Sequence, residues 1–313
     1  MTTNHYYDRD VVSIRDFSRD ELEFLFSFTD KISTLSRSER SELGRGRTLG
    51  SIYYEPSTRT RMSFEAAISS IGGSSIGIAD PKSSSIEKGE SLSDTIRIMD
   101  LYCDVLALRH PLDGSGRFAS ELSSNPVINA GSGSEEHPTQ AMLDALIIKQ
   151  EFGRLQGLRI ALVGDLDCGR AARTLALFFA THYPKNEVVG VSPKELRMRS
   201  DVKQALTAAK VPYREVDKLE DVVGWADIVY MTRLQKEHER KGLWSVPYPR
   251  LTLELAHKID KHARIMHPLP ANRDGMHSEL PYEIDDLPQS VYFKQQLQAG
   301  PRIRKAILQE LLL

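Results

Sequence analysis

The chain has 313 residues with 41 basic against 43 acidic side chains, a formal charge of −2. That length accommodates two domains of ordinary size, and the near-neutral balance without a long basic stripe excludes nucleic acid and an anionic membrane as expected partners. Two cysteines, Cys103 and Cys168, form neither a disulfide framework nor a metal-binding pattern, so a reducing cytoplasm is the expected setting.

The amino terminus lacks the basic and apolar regions of a signal peptide, and no apolar run approaches transmembrane length. Asp16 to Ile32 carries Phe17, Leu22, Leu25, Phe26 and Phe28 on a helical period. Leu49 to Tyr54 reads as a short buried strand, and a helix follows from Ser57 with Met62, Phe64, Ala67 and Ile68 along one face. The spacing then predicts strand at Ser75 to Ala79, a mobile Ser-rich loop at Pro81 to Ser85, and helix at Ser91 to Leu101. Strand at Val105 to Leu108, helix at Gly116 to Leu122 and strand at Val127 to Ala130 continue the alternation. This is the β/α rhythm of a parallel sheet covered on both faces. A long helix at Pro138 to Phe152 presents Met142, Leu143, Leu146 and Ile147 as one apolar stripe suited to bridging two lobes.

A second such unit opens with the strand Arg159 to Asp165 and a helix from Gly169. Further strands are expected near Glu187 to Val191, Pro212 to Val216, Ile228 to Thr232 and Ile265 to Met266, with a terminal helix over Phe293 to Leu313. The expected fold is therefore α/β, two doubly wound parallel-sheet lobes with an active-site cleft between them. The expected domains are residues 1–136, a bridging helix at 137–152, residues 153–292, and a carboxyl-terminal helix at 293–313 that either stays with the second lobe or packs back on the first.

Glu55-Pro56-Ser57-Thr58-Arg59-Thr60-Arg61 places three hydroxyls and two guanidinium groups where a strand gives way to a helix. Unpaired N–H groups and the positive dipole end of that helix make the turn an anion trap, with the Ser57 hydroxyl expected to cap the helix. No Gly-x-x-x-x-Gly-Lys run is present, so the anion is a small phosphorylated molecule rather than a nucleotide. Ligands of open parallel sheets bind at the carboxyl ends of the strands. Four such ends deliver Arg59, Arg109, Arg170 and Arg233, which together suit a highly anionic pair of substrates.

The motifs in order are Ser-Thr-Arg-Thr-Arg, Lys-Gly-Glu-Ser from Lys88, Arg-His-Pro from Arg109, His-Pro-Thr-Gln from His137, Val-Gly-Asp-Leu from Val163, Met-Thr-Arg-Leu-Gln-Lys-Glu from Met231 and His-Pro-Leu-Pro from His267. In this order, over nearly the whole chain, they resemble the aspartate/ornithine carbamoyltransferase superfamily, and specifically the catalytic chain of the aspartate enzymes. Ornithine carbamoyltransferases share the first half but usually carry Ser-Met-Gly and His-Cys-Leu-Pro segments, so the Arg233 to Lys236 and His267 to Pro270 sequences favour aspartate, with ornithine as the alternative substrate.

The resemblance implies transfer of the carbamoyl group of carbamoyl phosphate to L-aspartate, the committed step of de novo pyrimidine biosynthesis, without metal, cofactor or covalent nucleophile. It implies that Ser57, Thr58, Arg59 and Thr60 hold the phosphate and that Arg109 spans phosphate and carbonyl oxygen. Thr60, Arg109 and His137 would meet the charge developing on that oxygen, where one lost donor costs roughly 3 kcal/mol. Gln140 and the carbonyls of Pro268 and Leu269 would read the carbamoyl amide. Arg170 and Arg233, with Gln235, would clamp the aspartate carboxylates. Ser84 and Lys88 would reach the site of a neighbouring subunit in a homotrimer with shared active sites, with Lys88 contributing to catalysis and to aspartate binding. A regulatory chain or another pyrimidine-pathway enzyme is a further partner compatible with the resemblance. His110 and His267, each before a proline, are expected to be structural histidines, and Glu90 a helix-start carboxylate paired with an arginine. The chain departs from common family patterns at Glu87, at Ala271 to Asp274 and at Gln298 to Pro301.

Two rivals come from other classes. A nicotinamide-dependent oxidoreductase would use the βα turn at Val163 to Gly169, but that turn lacks Gly-x-Gly-x-x-Gly, and Asp165 would repel a pyrophosphate. A non-catalytic scaffold on the same fold is countered by the presence of Arg59, Arg109, His137, Gln140, Arg170 and Arg233.

Overall fold

Runs of β-branched and aliphatic residues build two parallel sheets. The structure, a computed structural model, describes residues 6–235, 246–275 and 277–312. It divides into two units, Met1–Leu143 with Gln298–Leu313, and Asp144–Leu297. Among the described residues no helix is long and apolar enough to cross a membrane.

In the first unit, helices α1 (Arg19–Thr34) and α2 (Arg37–Glu42) precede strand β1 (Thr48–Tyr53). There follow α3 (Thr58–Ser70), β2 (Ser74–Ile78), α4 (Leu92–Tyr102), β3 (Val105–His110), α5 (Ser115–Leu122), β4 (Val127–Ser132) and α6 (Pro138–Phe152). The strands lie in the order β2-β1-β3-β4, all parallel. β1, β3 and β4 are buried on both faces, as a sheet covered by helices on each side requires. Ile52, Ile96, Leu106, Leu108 and Val127 fill one side of it, each aliphatic side chain contributing about 1.5–3 kcal/mol on burial.

The second unit contains β5 (Arg159–Val163), α7 (Arg170–His182), β6 (Glu187–Val191), α8 (Ser200–Ala208), β7 (Tyr213–Val216), β8 (Ile228–Met231), α9 (Leu253–Ala256) and β9 (Arg264–Met266). Its parallel sheet runs β7-β6-β5-β8-β9. A core of Val163, Val189, Val229, Met231, Leu251, Ile265 and Leu280 packs on it. The chain ends in α10 (Leu297–Leu312), entered through a π-turn at Tyr292–Gln296. From Gln298 onward this helix belongs to the first unit, and the division between units falls inside α6.

Both sheets reverse their winding once. In the first, β1 is followed outward by β2 on one side and β3 on the other; in the second, β5 is flanked by β6 and β8. The crevices at the carboxyl ends of β1 and β3, and of β5 and β8, are the switch points where such sheets take ligands.

Three expectations change. The Ser-rich stretch is wound into two 3-10 turns, Pro81–Ser83 and Ser85–Lys88, because Asp80 and Ser84 accept the N–H groups of Lys82 and Ile86. Helix α8 has no counterpart in the pattern reading: its buried apolar side chains are only Val202 and Leu206, and no side chain caps its start. Glu90 accepts a hydrogen bond from the Thr95 hydroxyl at 2.8 Å, and among the described residues it pairs with no arginine.

Candidate active site

The two switch points carry the arginines anticipated from sequence. At the first, β1 ends at Tyr53 and α3 begins at Thr58, with Ser57 at its N-cap in extended conformation. Pro56 fixes the approach, and the Ser57 hydroxyl accepts no N–H from the first turn of α3. The helix start expected at Ser57 is in place while the side-chain cap is not, so the hydroxyl is not committed to the first turn of α3. Thr60 is 7% exposed and its Oγ1 lies 3.2 Å from Nε2 of His137, itself 5% exposed.

His137 sits where β4 has ended and α6 begins at Pro138. Its backbone carbonyl accepts the Gln140 N–H at 2.9 Å, so His137 and Gln140 share one turn. The turn is anchored from below by Glu136, whose carboxylate accepts from the Ser13 hydroxyl at 2.7 Å and the Ile14 N–H at 2.9 Å.

Arg109, near the end of β3, is paired in register with Tyr53 of β1 and is therefore carried to the same crevice as Ser57 to Thr60. Its Nε donates to Glu55 Oε2 at 3.2 Å, and both side chains are about one-fifth exposed or less, 17% and 21%. Such a contact on one edge of a planar guanidinium sets the direction of its remaining donors. Glu55 was missing from the sequence-derived site, although a carboxylate immediately before the hydroxyl-rich turn is a usable signal. His110, next to Arg109, accepts the Leu112 N–H on Nδ1 at 3.2 Å and stacks edge-on against Tyr54. Burial holds its pKa below the ordinary histidine value, with Glu55 opposing more weakly.

In the second unit the crevice between β5 and β8 is organised by Asp165, which is fully buried. Its Oδ1 accepts the Cys168 N–H at 3.0 Å and its Oδ2 accepts the Gln235 N–H at 3.1 Å. One carboxylate therefore ties the turn leading to Arg170 to the segment carrying Arg233 and Gln235. Tyr248 adds a second tie: its hydroxyl accepts the Asp165 N–H at 2.8 Å and donates to the Thr232 carbonyl at 2.7 Å. Burial raises the Tyr248 pKa well above the usual phenol value, so it stays a donor. Arg170 opens α7, whose N-cap is Gly169, and Arg233 Nη1 donates to the Leu234 carbonyl at 3.2 Å. Gln235 Nε2 reaches the Arg233 carbonyl at 3.4 Å. Lys236 and Glu237 of this motif lie outside the described residues.

After β9 the chain turns through His267-Pro268-Leu269-Pro270, with a cis bond before Pro270 and Leu269 in the left-handed region at φ 51°. Among the described residues no hydrogen bond uses the Pro268 or Leu269 carbonyl. Ser84 and Lys88 stand apart from these groupings. The Ser84 hydroxyl donates to the Pro81 carbonyl at 2.8 Å, Lys88 is exposed, and neither bonds to Ser57–Thr60, Arg109 or His137.

A hydroxyl-rich helix start beside a buried threonine–histidine pair and an oriented arginine suits a phosphorylated carbonyl compound. A separate crevice with two arginines and a glutamine suits a dicarboxylate. Residues 9–150 match the family described as aspartate/ornithine carbamoyltransferase, carbamoyl-P binding domain, and residues 156–311 match the Asp/Orn binding domain of the same enzymes. The chain belongs to the aspartate/ornithine carbamoyltransferase family.

Within it, the chain is 45% identical over 308 residues to the aspartate carbamoyltransferase catalytic subunit of Nitrosopumilus maritimus, covering 97% of each. Its fold superposes with TM-score 0.91 on aspartate transcarbamoylase from Trypanosoma cruzi in complex with carbamoyl aspartate and phosphate, at 33% identity, covering 99% of this chain and 98% of that one. A second structure of the Trypanosoma cruzi enzyme, in complex with N-(phosphonacetyl)-L-aspartic acid, gives TM-score 0.91 at 32% identity with the same coverage.

Proposed function

We propose that this chain transfers the carbamoyl group of carbamoyl phosphate to the amine of L-aspartate, giving N-carbamoyl-L-aspartate and phosphate. The observation that carries this reading is the pairing of chemistries at two switch points: hydroxyls, helix N–H groups and Arg109 at β1/β3, and Arg170, Arg233 and Gln235 at β5/β8. The relatives named above support aspartate.

The first half-site holds the phosphate through Ser57, Thr58, Arg59 and Thr60, with charge-assisted hydrogen bonds from Arg59 and the helix start. Arg109, Thr60 and His137 surround the carbonyl oxygen and stabilise the negative charge it acquires as the amine attacks. A C–N bond forms, the C–O bond to phosphate breaks, and the proton released by nitrogen leaves with the departing phosphate. Gln140 and the carbonyls of Pro268 and Leu269 accept from the carbamoyl NH2. Arg170, Arg233 and Gln235 fix the two carboxylates so that the amine points at the carbon, a gain worth roughly 7 kcal/mol or more when the geometry is right.

Ser84 and Lys88 complete the site of a neighbouring copy in a homotrimer, which accounts for an exposed lysine outside the first crevice. The Nitrosopumilus maritimus relative is named a catalytic subunit, which supports an assembly of several chains, with a regulatory chain or another enzyme of pyrimidine synthesis as candidate partner. Two free cysteines fit a reducing cytoplasm.

Incubation with carbamoyl phosphate and a panel of amino acids, followed by product identification, tests the assignment. Carbamoyl aspartate and phosphate in equal amounts are expected, with inhibition by N-(phosphonacetyl)-L-aspartic acid; carbamoylation of ornithine but not aspartate would overturn it.

A further inference from the structure

The turn that offers the Pro268 and Leu269 carbonyls is pinned at three backbone donors. The His267 N–H donates to Gln296 Oε1 at 3.0 Å, the Leu269 N–H to Nδ1 of the His267 ring at 2.7 Å, and the Asn272 N–H to Glu279 Oε1 at 2.7 Å. Pro268 and Pro270 have no N–H to contribute. Because a backbone N–H can only donate, His267 Nδ1 holds a lone pair and its ring proton sits on Nε2, 3.2 Å from Glu279 Oε1. One glutamate oxygen therefore receives both ends of the turn, the ring of His267 and the backbone at Asn272.

Glu279 and the His267 side chain are both 0% exposed, and among the described residues His267 is the only ion-pair partner of Glu279. Its Oε2 is buried with no hydrogen-bond partner among the described residues. Burying a carboxylate this way costs several kcal/mol that an apolar side chain of the same size avoids, so stability alone does not call for it. What the arrangement does hold is Leu269, a non-glycine residue at φ 51°, a conformation costing roughly 1–2 kcal/mol that persists only when its surroundings impose it. The far side is equally fixed: Gln296 Nε2 donates to Asp144 Oδ1 at 2.6 Å, and Tyr230 to Asp144 Oδ2 at 2.7 Å.

We propose that Glu279 and His267 are positioning residues that set the Pro268 and Leu269 carbonyls for recognition of the carbamoyl NH2. His267 was expected from sequence to be merely structural. This inference rests on the carbamoyl phosphate reading above. It separates two anions by chemistry, since carbamoyl phosphate presents an NH2 to the turn and inorganic phosphate does not.

The test compares both anions by calorimetric titration on the full-length protein. Glu279→Met keeps the side-chain length and removes the acceptor, His267→Phe keeps a ring and removes both nitrogens, and Glu279→Gln retains Oε1 as acceptor. Carbamoyl phosphate affinity should fall at least about tenfold in Glu279→Met and His267→Phe. Phosphate affinity should stay within about twofold, and Glu279→Gln should recover most of the loss. Should one of the two disruptive variants fail to fold, the other carries the comparison; should both fail, the pair serves folding and the inference is wrong. Equal weakening of both anions, or none of either, also overturns it. An unmodified protein that binds no carbamoyl phosphate would sink the functional reading, whereas an active protein with unresponsive variants sinks only this step.

Discussion

Arg233 Nη1 donates to the Leu234 carbonyl of its own loop, and the bond from the Gln235 N–H to Asp165 Oδ2 holds that loop in place. Because the Asp165–Gln235 tie does not use the guanidinium, removing it should leave that tie intact and take away one carboxylate partner. Arg233→Ala is expected to raise the aspartate KM roughly tenfold to a hundredfold, the worth of a charge-assisted pair, with carbamoyl phosphate binding nearly intact; steady-state kinetics with each substrate varied reads both, and a matching loss for the two would show the residue is misassigned. His110 provides a pH-dependent prediction. Burial lowers its pKa in the folded chain, so on acidification the unfolded chain takes up the proton first, near pH 6.5. The folded state is then penalised progressively from that pH down to the depressed folded pKa, and stability rises with pH across this window. His110→Asn keeps an acceptor for the Leu112 N–H and has no titrating ring, so chemical denaturation at pH 5 and pH 8 should show a smaller difference for the variant than for the unmodified chain.

At the scale of elements, the link between β5 and the segment after β8 depends on backbone closeness at Gly164. Its φ of 118° is outside the reach of ordinary residues, and a Cβ there would collide with the Tyr248 hydroxyl and the Thr232 carbonyl. Gly153 also has positive φ, 67°, but open space around the added carbon. Gly164→Ala should cost about 2 kcal/mol or more, roughly 4–8 °C in Tm, and raise the aspartate KM by displacing Tyr248. Gly153→Ala should lose no more than half as much stability and leave KM unchanged; calorimetric melting beside kinetics checks both. The strands and the hydroxyl-rich turn were legible in sequence because each is local: β6 spans Glu187–Val191 as its aliphatic run indicates, and α6 spans Pro138–Phe152 as expected, although it is buried on every side from Pro138 to Ile148 where one apolar stripe was expected. The ties that shape the site were not legible, because their partners are distant along the chain. Tyr248 meets Asp165 across 83 residues and Asp165 meets Gln235 across 70, and neither pair shares a periodicity or motif. Helix α8 escaped for a different reason: Val202 and Leu206 are its only buried side chains, too few to mark a face by spacing, and no side chain caps its start.

At the scale of the whole molecule, the chain supplies a phosphate-type crevice in one unit, a dicarboxylate-type crevice in the other, and an exposed Lys88 on a short 3-10 turn that bonds to neither. A cation that balances a highly charged substrate pair gains little from lying exposed in water; it gains much more if a second copy brings its own anion crevice to that turn. In a closed ring of three copies each crevice would receive the turn of one neighbour. Mixing Lys88→Ala chains, which keep a sound crevice, with Arg59→Ala chains, which keep a sound turn, then creates one native site in every mixed trimer. Dissociation and random reassembly of equal amounts should restore about a quarter of the unmodified activity, although each parent alone is nearly inactive. Size-exclusion chromatography with light scattering verifies the trimers, and assays before and after mixing measure the gain. Verified mixed trimers with no gain would place Lys88 in its own chain's site or outside any site, because a site built from one chain cannot be repaired by the sound half of another.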